Sequence, residues 1–434
     1  MPKLIFTASS FALIVLFGVG CAKDTHESID LMPAPDVFGA GKLDPFEDGR
    51  SVSDFPSVGM LYATDRAPDP EGMATRPYGS ERGHLIRLGR ADVQMGDMDI
   101  TWEEAREISL LKNRSDRYPL SIAGVEEFGL LEESFTPFTP VELRHRDNRT
   151  AMGRYAEVIN GKIAESRCKD IFVYVPGYFV TFENPLMVAA EMWHFMGYEG
   201  VFVAYSWPAT PKRFAYFADI ETAEAAARNL RVYLEALAAH TEAEQIHVVG
   251  YSAGTRLVAR VLEQLALKYD GFERAEVRAK LRLGNVIFIG SDMDRQAFGM
   301  YIADGILNVA DNVTVYVSEK DKALRFSRRL FSRDRLGEMW EPGALSAEAV
   351  RYLGEHDNID MINVTEAQQS STENGHRYLR KSPWVSSDLL TTLRYSLSPE
   401  ERGLVRAGRD VEYDFPPDYI ERLREGIRER RRAP

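Results

Sequence analysis

Six short runs that are apolar at nearly every position constrain this chain most: 171–175 (IFVYV), 201–205 (VFVAY), 246–249 (IHVV), 286–289 (VIFI), 313–317 (VTVYV) and, more loosely, 359–364 (IDMINV). A strand with one wet face alternates apolar and polar residues, so a strand without alternation must be covered on both faces, as in a parallel sheet held between helices. The segments between the runs supply those helices. In 221–240 (ETAEAAARNLRVYLEALAAH) the Ala and Leu positions recur at three and four residues. Strand alternating with helix predicts an α/β fold with a doubly wound, mostly parallel sheet over about 166–395.

The flanks read differently. Over 57–165, short apolar runs such as 58–63 alternate with turn signals and 102–111 has helical spacing, which predicts a smaller mixed N-terminal region. The stretch 21–56 is rich in Asp, Pro and Gly without apolar period and reads as a linker or tether. The tail 396–434 is polar and closes on Arg428-Glu429-Arg430-Arg431-Arg432, which predicts a solvated helix end. No repeat of 20 to 50 residues is present, so a solenoid or propeller has no support.

Before the tether, Lys3 precedes an apolar run over 4–20 that ends in Gly18-Val19-Gly20-Cys21. This is the build of a signal peptide over 1–20. The last four residues resemble the cleavage box of bacterial lipoproteins, which implies a lipid on Cys21, a membrane partner through it, and an exported, envelope location. Cys168 is the other cysteine of the chain, so a zinc cluster built on cysteines is excluded. The formal net charge of −13 argues against nucleic acid, whose nonspecific binding needs Lys and Arg to replace phosphate counterions.

The chemistry sits at Gly250-Tyr251-Ser252-Ala253-Gly254, a G-x-S-x-G that follows the run 246–249 and opens a helical segment with Leu257, Val258, Val261, Leu262 and Leu265 on one face. That context predicts a tight strand-to-helix turn with Ser252 as nucleophile, where Gly250 and Gly254 avoid collisions and the Ala253 N–H at the helix start faces a developing oxyanion. A base and an acid are expected after the nucleophile, the acid first. His356 precedes a strand and so falls on the wrong edge of the sheet, whereas His376 follows it in the polar loop EAQQSSTENGHRY and is the expected base. Two acids each follow a strand. Asp321 in VTVYVSEKD is preferred because the penultimate strand commonly carries the acid, with Asp292 in IFIGSDMD as runner-up and Asp294 beside it; an unused Asp would cap a helix. After the run 171–175, Gly177 lets backbone approach a substrate and the Tyr178 N–H is the expected second oxyanion donor. Phe179, Tyr205 and Trp207 would line an acyl pocket or belong to the core. His194, His240 and His247 lie on helical or strand segments without zinc-ligand spacing, and no phosphate-binding loop or dinucleotide pattern adjoins a strand, so neither metal nor cofactor is expected.

From MLYATDRAPDPEG at Met60 through YVPGYFVTFENPL, GVFVAYSWPAT, HVVGYSAGTRLV, NVIFIGSDMD and VYVSEKDKALRFSRRLF to GHRYL, the chain resembles a family of bacterial α/β hydrolases of unassigned function in the esterase/lipase superfamily. The resemblance implies ester hydrolysis with Ser252, Asp321 and His376 in the matching positions. One departure is that the family normally carries His-Gly after the first long strand, where this chain has Pro176, which offers no side-chain hydrogen bond. The expected activity is therefore a serine hydrolase acting on small-molecule or lipid esters. The competing expectation, since fold does not fix function, is an envelope binding or scaffold protein without turnover.

Overall fold

A computed structural model of the chain describes residues 28–46, 57–96, 100–144, 149–339, 347–407 and 412–432. The segment 1–20 and Cys21 lie outside the described residues. Among those described, twelve strands join one sheet: β1 (Ser28–Asp30), β2 (Ser57–Met73), β3 (Arg76–Met95), β4 (Pro119–Leu130), β5 (Ile171–Val175), β6 (Val201–Ser206), β7 (Ile246–Tyr251), β8 (Leu283–Ile289), β9 (Asn312–Val317), β10 (Ile359–Asn363), β11 (Val405–Arg406) and β12 (Glu412–Asp414). Their order is β1-β4-β3-β2-β6-β5-β7-β8-β9-β10-β12-β11. Neighbours from β2 across to β12 run parallel, and β1, β4 and β3 at one edge and β11 at the other pair antiparallel.

Strand β5 shows why the runs lack alternation. Ile171, Val173 and Val175 face one apolar core, shared with Leu230 of helix Tyr216–His240 and Leu257 and Val261 of helix Gly254–Lys268. Phe172 and Tyr174 face a second core, shared with Leu186 and Trp193 of helix Glu183–Phe195 and Leu389 and Leu393 of helix Pro383–Tyr395. Both pleat faces are dry, and each buried Leu or Phe contributes about 1.5–3 kcal/mol relative to exposure.

Three flanking segments differ from the sequence reading. The N-terminal region supplies β2, β3 and β4 to this same sheet, because β2 pairs in parallel with β6 from Leu61↔Val203 to Thr64↔Ser206. Residues 28–46, read as part of a tether, instead pack Leu31, Met32, Val37, Phe38 and Leu43 into the second core. These side chains are spaced irregularly along a 3-10 turn and extended chain, so no period announced them. The C-terminal segment, read as a polar tail, adds β11 and β12 and the helix Tyr419–Arg432, whose Tyr419, Ile420, Leu423 and Ile427 are buried while Arg428, Arg430, Arg431 and Arg432 face water. Among the described residues no helix is long and apolar enough to cross a membrane.

The chain lays β6 on one side of β5 and then β7 and β8 on the other. Crossovers therefore reverse direction beside β5, and the crevice beyond the carboxyl ends of β5 and β7 is the expected place for a ligand.

Candidate active site

Strand β7 ends at Tyr251 and the next helix begins at Gly254, so the chain must turn within Ser252 and Ala253. Ser252 takes a left-handed φ of +50° to do so. The turn is pinned: the Ser252 N–H donates to the Ile289 carbonyl at 2.8 Å, and the Ser252 carbonyl accepts from the Thr255 N–H at 2.9 Å. A non-glycine residue held in this region stores strain that its surroundings must over-determine. The glycines answer to close approach. A Cβ on Gly254 would collide with the Pro176 carbonyl, and one on Gly177 would stand 2.9 Å from Ser252 Cβ. Gly250 is less demanding, with Val258 Cγ2 nearest at 3.1 Å.

His376 reaches this turn from the loop after β10. Its Nε2 is 2.9 Å from Ser252 Oγ and its Nδ1 is 2.6 Å from Asp321 Oδ2. A carboxylate only accepts, so Nδ1 carries the proton and Nε2 is left to accept from the serine hydroxyl. Asp321 is fully buried, and its other oxygen caps the helix Lys322–Phe331 by accepting from the Leu324 N–H at 3.0 Å. Burial alone would lower the pKa of His376, but the Asp321 charge and hydrogen bond more than offset it and the net shift is upward. The ring retains 13% exposure, so a substrate has an approach.

The other acids lie elsewhere. Asp292 is bound on one oxygen by Arg256 Nε at 2.9 Å and on the other by the Tyr216 hydroxyl. Asp294 caps the helix Arg295–Ala303, accepting from the N–H groups of Gln296 and Ala297. His356 sits before β10 and bonds to the Tyr352 carbonyl. His240 pairs with Glu133 and His247 accepts from the Asn285 N–H. His194 is fully buried between Ser109 and Tyr198, where burial and then Arg114 depress its pKa to about 3.

Neither the Tyr178 nor the Ala253 amide N–H finds an acceptor among the described residues, although Ala253 is fully buried. Backbone donors left open beside a serine are available to a substrate oxygen. Of the aromatics weighed as a pocket lining, Tyr205 and Trp207 are wholly buried core residues, since their strand-end side chains turn into the helix layer, and only Phe179 is partly exposed. Trp207 instead donates its Nε1–H to the Pro176 carbonyl at 2.8 Å, so the loop that lacks a histidine is held through its backbone.

Several bracing residues escape sequence reasoning. Arg66 is fully buried, with burial depressing its pKa to about 10 against the pull of Glu183, Asp65 and Asp219. It donates to the carbonyls of Gly79, Ala209 and Val180 and to Ser206 Oγ, tying the loops after β5 and β6 together. The only signal was its place in the ATDR stretch of the resemblance. Tyr251 donates to the His376 carbonyl at 3.2 Å, and the Tyr378 hydroxyl accepts from the Gly290 N–H at 2.6 Å. Gly290, at φ +56°, leaves room for the imidazole: a Cβ there would stand 2.9 Å from His376 Cε1. Gly290→Ala is therefore expected to leave a folded protein whose kcat falls about 100-fold, the scale of a misplaced catalytic ring. Unchanged turnover in a folded G290A variant would show that the ring position does not matter.

Compared with known proteins, the chain matches the family described as "Alpha/beta hydrolase of unknown function (DUF900)" over residues 152–394. No curated protein matches it. Among solved structures, a proposed cell surface hydrolase from Lactobacillus plantarum WCFS1 is similar at 12% identity and a TM-score of 0.31, covering 54% of this chain and 95% of that one.

Proposed function

This chain belongs to the α/β-hydrolase family of unknown function, and within it we propose that the chain is a serine hydrolase cleaving carboxylic esters through an acyl-enzyme on Ser252. The observation that carries this reading is the unbroken relay of Ser252 Oγ, His376 and buried Asp321 at 2.9 and 2.6 Å. Ser252 Oγ attacks the ester carbonyl carbon while His376 Nε2 takes its proton. The carbonyl oxygen becomes an oxyanion facing the Tyr178 and Ala253 N–H groups, each such donor being worth about 100- to 1,000-fold in rate. The imidazolium, held by Asp321, gives its proton to the departing alkoxide and the C–O bond breaks. Water then attacks the acyl-enzyme and loses a proton to Nε2, the bond from the acyl carbon to Ser252 Oγ breaks as Nε2 passes that proton to Oγ, and the acid leaves. The proposed place of action is the cell envelope, on the strength of the signal-like segment 1–20 and Cys21.

A fluorophosphonate probe tests the reading. Labelling of the wild type at Ser252 is expected, with a rate that climbs with pH. The base must be neutral to accept a proton, and Asp321 raises the His376 pKa, so the midpoint should fall above the ordinary histidine value of about 6.5. A folded wild type that does not label would overturn the hydrolase reading and leave the binding-protein alternative standing.

A further inference from the structure

Two segments border the Ser252 crevice: 211–218 (PKRFAYFA), leading from β6 into helix Tyr216–His240, and 322–333 (KALRFSRRLFSR), beginning just after Asp321. Together they hold seven Lys and Arg and no carboxylate, in a chain of formal net charge −13. They meet through aromatic contacts, with the Phe217 and Tyr216 rings 5.5 and 6.0 Å from Phe331, and Tyr216 in turn 4.9 Å from Tyr178 beside the site. Facing water from the same segments are Phe214 at 97% exposure, Phe326 at 64%, Phe217 at 55% and Leu330 at 42%. Phe326 and Leu330 are one helical turn apart, with Lys322, Arg325 and Arg329 on the same exposed side, while Leu324 and Ser327 turn to the core. Arg328 and Arg333 reach Glu338 and Asp294 at 3.5 and 4.0 Å, and the other five cations make no ion pair among the described residues.

We infer that this rim docks on an anionic lipid–water interface, so that the esters presented to Ser252 are held in a lipid layer. Clustered exposed apolar groups mark an interaction surface, and apolar tips ringed by cations fit a bilayer, the rings entering the acyl boundary and the cations meeting anionic headgroups. Phe214 projects almost wholly into solvent, which suits insertion into fluid chains better than packing on a rigid protein face. The substrate half of this inference rests on the ester-hydrolase reading; the surface half does not.

The test uses the full chain carrying Ser252→Ala, floated with vesicles of phosphatidylglycerol or of phosphatidylcholine. It is compared with the same chain bearing Phe214→Ser and Phe326→Ser, or Lys212→Glu and Arg329→Glu. All share one N-terminal segment, so differences report on the rim. Each pair is expected to weaken binding to the anionic vesicles about tenfold, the charge pair doing so only there and only at low salt. In the active chain, the Phe pair is expected to slow hydrolysis of a long-chain ester embedded in anionic vesicles by about the same factor, with monomeric p-nitrophenyl butyrate turned over unchanged. Unaltered flotation in both variants overturns the proposal. Loss with the charge pair alone also overturns it, because the cations would then meet headgroups without the rings entering the acyl boundary. A wild type that cleaves neither ester sinks the ester reading, while flotation still decides the surface.

Discussion

Ser252→Ala is expected to lower kcat on any ester the wild type turns over by about 10⁵- to 10⁶-fold and to abolish fluorophosphonate labelling, while the fold survives. The size follows from the absence of a second route: without Oγ no acyl-enzyme forms, and His376 and the two open N–H groups leave only the residual catalysis that positioning and oxyanion stabilisation give. Survival of the fold follows from what holds the turn. The contacts that pin Ser252 at φ +50° involve its backbone N–H and carbonyl, with Ile289 and Thr255, and alanine keeps both. The bond lost is the one from Oγ to His376 at 2.9 Å. One hydrogen bond is worth about 1 kcal/mol, so the thermal midpoint should move by no more than about 3 °C. A folded Ser252→Ala protein that retained a tenth of wild-type turnover would place the chemistry on another residue.

What was legible in the sequence, and what was not, divides along physical lines. The strands β5 to β10 could be read because burial on both faces removes polar residues, and the helix after Ser252 because its apolar face repeats at 3.6 residues. The segment 28–46 could not. Its anchors are contacts that leave no pattern, such as the Met32 N–H on Glu191 at 2.6 Å and the Val37 carbonyl under Arg424 Nε at 2.9 Å. The tail offered a partial signal, since Tyr419, Ile420, Leu423 and Ile427 follow helical spacing, but nine charged residues in the same helix outweighed it. Arg66 and Arg402 are fully buried although their type usually seeks water, and no sequence pattern marks the distant partners that permit it: four backbone and hydroxyl acceptors for Arg66, the Asp388 carboxylate for Arg402. Within the site, a serine between glycines and a histidine in the loop after β10 had few competitors. The acid had a real one, because β8 and β9 both end in loops bearing aspartate, and only side-chain direction separates them.

That choice gives the second large effect. Asp321→Asn is expected to cut kcat by about 10⁴-fold with little loss of stability. Asparagine is as good a helix cap as aspartate, so the bond to the Leu324 N–H at 3.0 Å can persist. What changes is the other oxygen: an amide NH₂ facing Nδ1 favours the imidazole tautomer with its proton on Nε2, which no longer accepts from Ser252, and the imidazolium loses its counter-charge. The pH profile must follow with a definite sign. Asp321 raises the His376 pKa by stabilising the cation, so removing that charge lowers it, and the acid limb of residual kcat/KM should shift to lower pH. Asp292→Asn should behave differently. Its oxygens are taken by Arg256 and Tyr216, and it acts on His376 only through a weaker charge contribution, so a kcat loss under about tenfold and a smaller shift in the same direction are expected. Measuring both pH–rate profiles decides the matter. A mild Asp321→Asn beside a crippled Asp292→Asn would mean that the imidazole turns to the β8 loop during turnover, and the orienting role would pass to Asp292.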